Sequence, residues 1–219
     1  MGKKQFYKLL ILRSIGNFLL LFAIFGIGAT LGPALYYEVR FQVDQLTGTK
    51  YIVAPAVASQ LGKLSSNEKI LTPPDTYFSI VIPAIGAASR VIINVDPNNP
   101  TEYLAALKKG IAHAKGSVFP GMPGTSFYFA HSTDNFWDVG RYNAVFYLLK
   151  DMHIGDDIYI YFKNYRYNYK VTQTEIIDPQ NVDLLVNSQK SKDQRIVLQT
   201  CWPPGTTWKR LLVIAKPLK

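Results

Sequence analysis

Cysteine is almost absent from this chain. The 219 residues contain one, Cys201, in the segment VLQTCWPPGTTWKR (197–210). A single cysteine excludes an internal disulfide and leaves a buried structural thiol, an intermolecular disulfide or a reactive thiol. A structural zinc site needs closely spaced cysteine and histidine ligands, whereas the nearest of three histidines lies 48 residues before Cys201. We therefore expect no metal and no cofactor.

Charge is absent from residues 14–37, SIGNFLLLFAIFGIGATLGPALYY, and no acidic residue precedes Glu38. About 20 apolar residues cross a bilayer as a helix, so this segment predicts a transmembrane anchor. A cleaved signal peptide is the alternative, but signal-peptide apolar cores run to only about 7–15 residues. The preceding residues 1–13 carry only basic charges, and such flanks stay in the cytoplasm. We expect a single-pass plasma-membrane protein with a cytoplasmic tail (1–13) and an extracytoplasmic remainder.

The exported part holds 20 Lys and Arg against 15 Asp and Glu, which suits an anionic membrane surface or wall polymer, although a mildly basic surface is usually only solvated. The tract YFKNYRYNYK (161–170) interleaves tyrosines with basic residues. Aromatic and cationic side chains hold single-stranded nucleic acids in this way, but alternating tyrosine is also ordinary β packing. With the chain outside the cell, we expect no nucleic-acid partner.

Residues 38–75 show no sustained periodicity and predict a linker with one short helix at most. Downstream, short runs rich in β-branched and aromatic residues alternate with turn residues, a pattern typical of an all-β barrel or sandwich. We expect seven strands, at 79–86, 90–95, 125–130, 157–163, 167–177, 194–200 and 210–218. Two helices are predicted between them, one capped by Thr101 and ending before Gly110, the other at 141–152.

A cysteine nucleophile needs a base nearby, because a free thiol is only a few per cent thiolate at neutral pH. His131 follows the apolar run 125–130 at a strand end, where a side chain is held firmly yet remains accessible. His113 lies in a turn-rich segment and is either structural or part of a cleft wall, and His153 lies in a solvated loop. We therefore select His131 as the partner of Cys201.

Cys201 and Arg210 lie at the two ends of the connection between the last two predicted strands. If these strands pair, directly opposed residues have Cβ atoms about 4.5–5.5 Å apart. A guanidinium there can bind a substrate carbonyl or oxyanion, and one such donor typically contributes about 10²–10³ in rate. Each of the three residues alone is more simply explained as structural. The hypothesis of a catalytic site therefore depends on their occurrence together with other motifs.

Several segments, in order, resemble sortases, the membrane-anchored cysteine transpeptidases of bacterial surfaces. IVLQTC followed by the arginine of WKRLLVIAKP resembles the C-terminal signature of the family. FSIVIPAIGA is similar to its opening strand, and HAKGSVFPGMPGTSFYFAHS to the segment that leads into its catalytic histidine. YNAVFYLLKDMHIGDDIYIYFKNYRYNYKV is similar to the helix, turn and paired strands that follow. The resemblance covers about residues 76 to 218, essentially the whole expected catalytic domain (76–219).

The resemblance implies a mainly β fold, a closed barrel of about eight strands with two short helices. It also implies that Cys201 is the nucleophile, His131 the general acid/base and Arg210 the residue that positions the substrate or stabilises the oxyanion. Partners would be proteins with a C-terminal Leu-Pro-x-Thr-Gly-like sorting signal, cleaved through a cysteine thioester, and an amine acceptor on a peptidoglycan precursor or a protein. Three further residues are expected to bind substrate or shape the site: Thr200, His113 and Trp137.

Two departures concern the subclass. Val197 stands where the family often has Thr, and Ala130 where it often has Gly. Pilin-polymerising members often carry an N-terminal lid with an Asp-Pro-aromatic motif, which residues 38–75 lack, so we favour wall anchoring over pilus assembly. Trp137 is expected to line the substrate groove or to pack against the next helix. A non-catalytic, membrane-tethered barrel that binds a surface polymer or protein is the alternative from another functional class.

Overall fold

The first element is a single long helix. A computed structural model describes residues 3–53, 65–132, 145–190 and 192–218. Helix α1 (Lys3–Leu46) begins within the expected cytoplasmic tail and continues past the expected anchor into the expected linker. Within its stretch Lys3–Ala29, an 18-residue window has a mean hydropathy of 2.1 and is not buried by the rest of the chain. Length and composition therefore fit a single-pass membrane anchor.

The segment expected to be a linker contains two strands in its described residues, and these are stabilised by tertiary contacts that local periodicity does not reveal. Strand β1 (Lys50–Val53) pairs in parallel with β2 (Glu68–Leu71) in a small two-stranded sheet. The Asp44 carboxylate near the end of α1 accepts hydrogen bonds from the Tyr51 hydroxyl and from Lys69 Nζ, both at 2.7 Å. The helix end and the sheet are thereby held together.

Eight strands form a closed barrel in the order β10-β8-β7-β3-β4-β5-β6-β9, which confirms the predicted fold class. Their bounds are β3 Phe78–Ile82, β4 Ala87–Val95, β5 Ile111–Ala114, β6 Thr125–Phe129, β7 Asp157–Phe162, β8 Tyr165–Ile177, β9 Arg195–Trp202 and β10 Lys209–Pro217. Two pairs are parallel, β4 with β5 and β6 with β9, and the remaining pairs are antiparallel.

Seven of these strands coincide with predicted strands, and β5 does not. Helix α2 (Pro100–Leu107) is present, but Asn99 caps it instead of Thr101: the Asn99 side chain accepts a hydrogen bond from the Glu102 amide. Of the second predicted helix, residues 141–144 lie outside the described residues, and Tyr147–Asp151 forms a 3₁₀ helix. Another 3₁₀ turn, Pro83–Ile85, follows β3. A short helix that the sequence pattern did not predict, α3 (Asp183–Val186), lies between β8 and β9.

The barrel has an apolar interior and one covered outer face. Interior residues of the last two strands include Ile196, Leu198, Leu211 and Val213, all part of the main core. Side chains alternate across a strand, so the residues between them face outward. On this outer face of β6, β9 and β10 lies a second apolar cluster, which Leu184 and Leu185 from helix α3 cover. The candidate site continues this outer face towards the ends of the three strands.

Candidate active site

Cys201 and Arg210 are directly opposed on neighbouring strands. Strands β9 and β10 are antiparallel, and the register pairs Arg210 with Cys201 and Leu212 with Gln199. The pairing expected from the sequence is therefore present. Cys201 is a free, partly buried cysteine, so its thiol is held by a barrel strand and still reaches the surface. The chemical roles of the two residues remain predictions.

His131 lies on the other side of Cys201. Strand β6 runs parallel to β9 with a constant offset of 70 residues, from Thr125 opposite Arg195 to Phe129 opposite Gln199. The backbone continues this pairing past the strand end, because the Ala130 amide donates to the Gln199 carbonyl oxygen at 3.1 Å. The same offset brings His131 beside Cys201. The order across the sheet is then histidine, cysteine, arginine, with the thiol in the middle.

All three residues line one cavity of about 600 Å³. Its apolar part is formed by helix α2 and by the connection that carries α3, and its polar part lies around Cys201. The apolar lining includes Leu104, Leu107, Phe129, Leu184 and Leu185. A half-open, mainly apolar cleft with a few convergent polar groups is the usual form of a site for a small molecule or a peptide segment.

Arg210 is held by the loop that joins the two strands. Its Nη1 atom donates to the carbonyl oxygens of Thr207 and Lys209, each at 3.1 Å. The guanidinium carries five N–H donors in a rigid planar fork. Nε and Nη2 make no hydrogen bond to the residues that the structure describes. A partly exposed guanidinium beside the thiol can thus donate to an oxygen that enters the cavity.

Thr200 fixes the spacing between the histidine and cysteine strands. The Thr200 hydroxyl is buried and donates to the Ala130 carbonyl oxygen at 3.1 Å. This hydrogen bond joins the residue before Cys201 to the residue before His131. Thr200 also lines the cavity. Because its only hydrogen is used by Ala130, we infer that Thr200 shapes the site by positioning the two strands.

His113 does not line this cavity, and of the two readings given for it, structural or part of a cleft wall, the structural one fits its surroundings. It lies on β5 with 1% of its surface exposed, and its ring stacks on Phe119 at 4.7 Å between centroids. Nε2 donates to the Val118 carbonyl oxygen at 3.1 Å, and Nδ1 has no partner among the described residues. Burial lowers the pKa of His113. The residue is therefore a neutral core histidine.

Trp137, the third predicted substrate-binding residue, lies outside the described residues, as does all of 133–144. The structure also brings to the cavity residues that the sequence reasoning did not select. Gln199 faces the cavity two residues before the cysteine, and Ser132 follows His131. The position of Gln199 could have been derived from strand alternation, whereas the contribution of α2 depends on tertiary packing alone.

A larger cavity, of about 820 Å³, lies between the end of α1 and the 3₁₀ turns of the barrel. It is lined by Arg40, Asp44, Tyr51 and Asp156, among others, and holds neither the cysteine nor His131. The cavity of about 600 Å³ is the candidate active site, because it contains Cys201 together with His131 and Arg210. The described parts of the segment 38–75 line only the larger cavity, and none of them lines the cavity around Cys201.

Comparison with known proteins agrees with this site. A family model of the sortase domain matches residues 80–218. The pilus-related sortase C of Group B Streptococcus superposes with a TM-score of 0.55 at 24% identity, covering 68% of this chain and 70% of that one. Sortase C-1 of Actinomyces oris gives a TM-score of 0.54 at 22% identity, covering 67% and 76%. Sortase C of Streptococcus pneumoniae gives 0.53 at 23%, covering 64% and 65%. A search among curated proteins found no match.

The fold and the site together define the class: a closed eight-stranded β-barrel protein with a candidate thiol site at a strand end. Because the family model covers more than half of the chain, the protein belongs to the sortase family. Sortases in general are cysteine transpeptidases that act on sorting-signal proteins at cell surfaces. The three structural neighbours named above are below 25% identity and support the fold alone.

Proposed function

We propose that this sortase cleaves a Leu-Pro-x-Thr-Gly-like sorting signal through a thioester on Cys201 and transfers the acyl chain to an amine, anchoring proteins at the cell surface. The observation that supports the proposal most is the meeting of His131, Cys201 and Arg210 on one outer face of the barrel, in one cavity. The separation of these residues in sequence makes a chance cluster a poor explanation.

The first half-reaction forms the thioester. The Cys201 sulfur attacks the threonine carbonyl carbon, and the carbonyl oxygen becomes an oxyanion that Arg210 stabilises with its available donors. Protonated His131 then gives its proton to the leaving amine of the glycine. The C–N bond breaks, the amine product leaves, and the acyl chain stays on sulfur. The apolar part of the cavity holds the extended peptide during this step.

The second half-reaction releases the product. His131, now neutral, accepts a proton from the incoming amine as its nitrogen attacks the thioester carbonyl. Arg210 stabilises the second oxyanion, and the thiolate leaves as an amide bond forms. If water enters instead of the amine, the same steps produce a free acid. The acceptor is thus the group that decides between transfer and hydrolysis.

The site would lie outside the cell, with the N-terminus in the cytoplasm. The basic residues before the apolar stretch support this orientation, since cytoplasmic flanks of transmembrane helices are enriched in Lys and Arg. The alternative of a pilin-polymerising enzyme is motivated by one structural neighbour, the pilus-related sortase C of Group B Streptococcus. The two differ in the acceptor: the amine of a wall precursor in the first case and a protein amine in the second.

The test is a mass-spectrometric assay of the full chain in detergent micelles. We expect a peptide-sized adduct on Cys201 when a Leu-Pro-x-Thr-Gly peptide is added, and an amide product when triglycine is also present. Cys201→Ala should abolish the adduct, and His131→Ala and Arg210→Ala should abolish product. A folded chain that forms no adduct with any peptide in a panel, and whose thiol reacts no faster than free cysteine, would favour the non-catalytic barrel.

A further inference from the structure

A second cleft, of about 490 Å³, lies at the end of the barrel away from the cysteine. Strand β10 begins near Arg210, opposite Ile177, and ends at Pro217, opposite Tyr169. The cleft is lined by Tyr167, near the Pro217 end of this ladder, whereas Cys201 lies at the Arg210 end. The cleft therefore belongs to a different part of the surface from the candidate active site.

The floor of this cleft is aromatic and rigid. The rings of Phe119 and Phe162 are parallel, with centroids 5.1 Å apart, and His113 stacks behind Phe119. The Tyr167 ring lies directly on the backbone of Gly121, where a Cβ atom would be only 2.6 Å from it. A preformed surface of this kind loses little conformational entropy when a ligand binds.

The rim of the cleft combines exposed aromatic surface with one positive charge. Tyr77 is 60% exposed and Met122 is 50% exposed. Lys163 is the only charged residue among the nine that line the cleft. Its Nζ lies 5.5 Å from the Phe162 ring centroid, and it forms no salt bridge to a carboxylate in the part of the chain that the structure describes. The lysine is thus available to an anion.

Three features restrict the kind of ligand. The barrel is closed, so it offers no free strand edge on which an extended peptide could add main-chain hydrogen bonds. The end of helix α1 lies at a different cavity, beside the 3₁₀ turn after β3, so the cleft is not on the side of the barrel to which the anchor helix is joined. The apolar faces of sugar rings stack on aromatic side chains, and a lysine binds phosphate as a point charge.

We propose that this cleft, lined by Tyr77, Phe119, Phe162, Lys163 and Tyr167, binds an anionic glycan, with sugar rings on the Tyr77 and Tyr167 side chains and a phosphate on Lys163. Three residues of the tyrosine-rich and basic tract 161–170, Phe162, Lys163 and Tyr167, then bind ligand in addition to their place in the barrel. Binding at this end would hold the enzyme against a polymer of the cell surface while the active site stays free. The inference assumes the extracytoplasmic location but no part of the reaction.

The test measures binding of phosphorylated dextran to the full chain in micelles, beside neutral dextran, inorganic polyphosphate and an oligothymidylate of similar charge. We expect phosphorylated dextran to bind at least 10-fold more tightly than neutral dextran or polyphosphate. Lys163→Asn, which suits the positive φ of 50° at this position, should weaken binding at least 10-fold. Tyr77→Ser, at an exposed ring, should weaken it at least 5-fold.

Lys109→Gln is the matched control, because Lys109 is an exposed lysine in the turn after α2, and it should change binding less than 2-fold. Cys201→Ala should bind the glycan like the unchanged protein, which separates this inference from the proposed function. Equal affinity for polyphosphate would mean that charge alone is recognised, and equal affinity for the oligothymidylate would assign the cleft to nucleic acid. Either result, or undiminished binding by Lys163→Asn and Tyr77→Ser, would overturn the proposal.

Discussion

Among single residues, Arg210 is the one at which the effect of the positive charge can best be separated from the effect of the hydrogen-bond donor geometry. Its Nη1 is already used by two loop carbonyls, so the remaining donors of the planar fork must reach the oxyanion. We predict that Arg210→Lys keeps the charge but lowers kcat of peptide cleavage by about 10²–10³-fold, because a lysine cannot reproduce both sets of donors. Steady-state kinetics with the sorting peptide measure this loss.

Lys209→Gln is the control for the loss of a neighbouring charge, since the Lys209 side chain is exposed and lies 3.7 Å from the exposed Asp178. It should leave kcat within about 2-fold, as expected for a surface charge pair. If Arg210→Lys were as active as the unchanged enzyme, the arginine would act only through its charge, and the donor geometry proposed here would be wrong.

His113 predicts a pH dependence of stability. Burial lowers its folded pKa below the ordinary 6.5, so the unfolded chain binds a proton that the folded chain does not. The free energy of unfolding should therefore fall as the pH drops below about 6.5, by at most about 1.4 kcal/mol per pH unit for one proton. Chemical denaturation between pH 8 and pH 5 measures the slope.

His113→Gln should be less stable overall but should show a flatter slope in this window, because the titrating group is gone. His153→Gln, in an exposed turn, should retain the slope of the unchanged protein. Parallel curves for the unchanged protein and His113→Gln would show that another group is responsible.

Single residues also show where sequence reasoning reaches its limit. The opposition of Cys201 and Arg210 follows from two adjacent strands and a short connection, so local sequence was sufficient. His131 reaches Cys201 through parallel pairing across 70 residues, which no local pattern contains. Its position at a strand end selected it among the three histidines, and the family resemblance agreed with that choice. The burial of His113 could not be derived from local sequence, because it depends on rings from three other segments of the barrel.

Among the elements, β5 and the end of α1 were the least predictable. All four residues of β5 are buried, so the strand lacks the alternation by which half-buried strands are recognised. It also follows α2 closely, which made it resemble a turn. The seven other barrel strands carry longer or more β-branched runs, and their positions were predicted within a few residues. The packing of the end of α1 against strands β1 and β2 depends instead on hydrogen bonds to one carboxylate.

Asp44 is that carboxylate, and we predict that Asp44→Asn releases the end of α1. Burial of the charge is offset by hydrogen bonds from Lys69 and Tyr51, which hold the pKa of Asp44 below its ordinary value. Removing the charge should cost about 1–3 kcal/mol, as for other buried, hydrogen-bonded groups. Hydrogen exchange of β1 and β2 should accelerate, with the barrel strands unaffected.

Asp178→Asn is the comparison, because Asp178 is 79% exposed and its pair with Lys209 is long. It should leave exchange in every strand unchanged. Equal protection of β1 and β2 in Asp44→Asn and in the unchanged chain would mean that apolar contacts of α1 hold the sheet.

For the whole molecule, the single cysteine gives a direct test of location. A membrane-impermeant maleimide added to intact cells should label Cys201, because the thiol is partly exposed and the barrel is proposed to lie outside. In a Cys201→Ala background, Gln5→Cys should be labelled only after permeabilisation. Labelling that is equal for both positions in intact cells, or reversed, would contradict the orientation.

The uninterrupted course of α1 has one more consequence. About 25 Å of helix follows Ala29, at 1.5 Å per residue, and it ends in contacts with the barrel instead of in a flexible tether. An enzyme attached in this way diffuses together with its anchor, and its active-site cavity stays at a fixed distance from the membrane. If the acceptor is a membrane-attached precursor, as the proposed function allows, their encounters are collisions in a plane, governed by lateral diffusion and by molecules per unit area. Turnover in cells should accordingly follow the surface density of precursor more closely than its total amount.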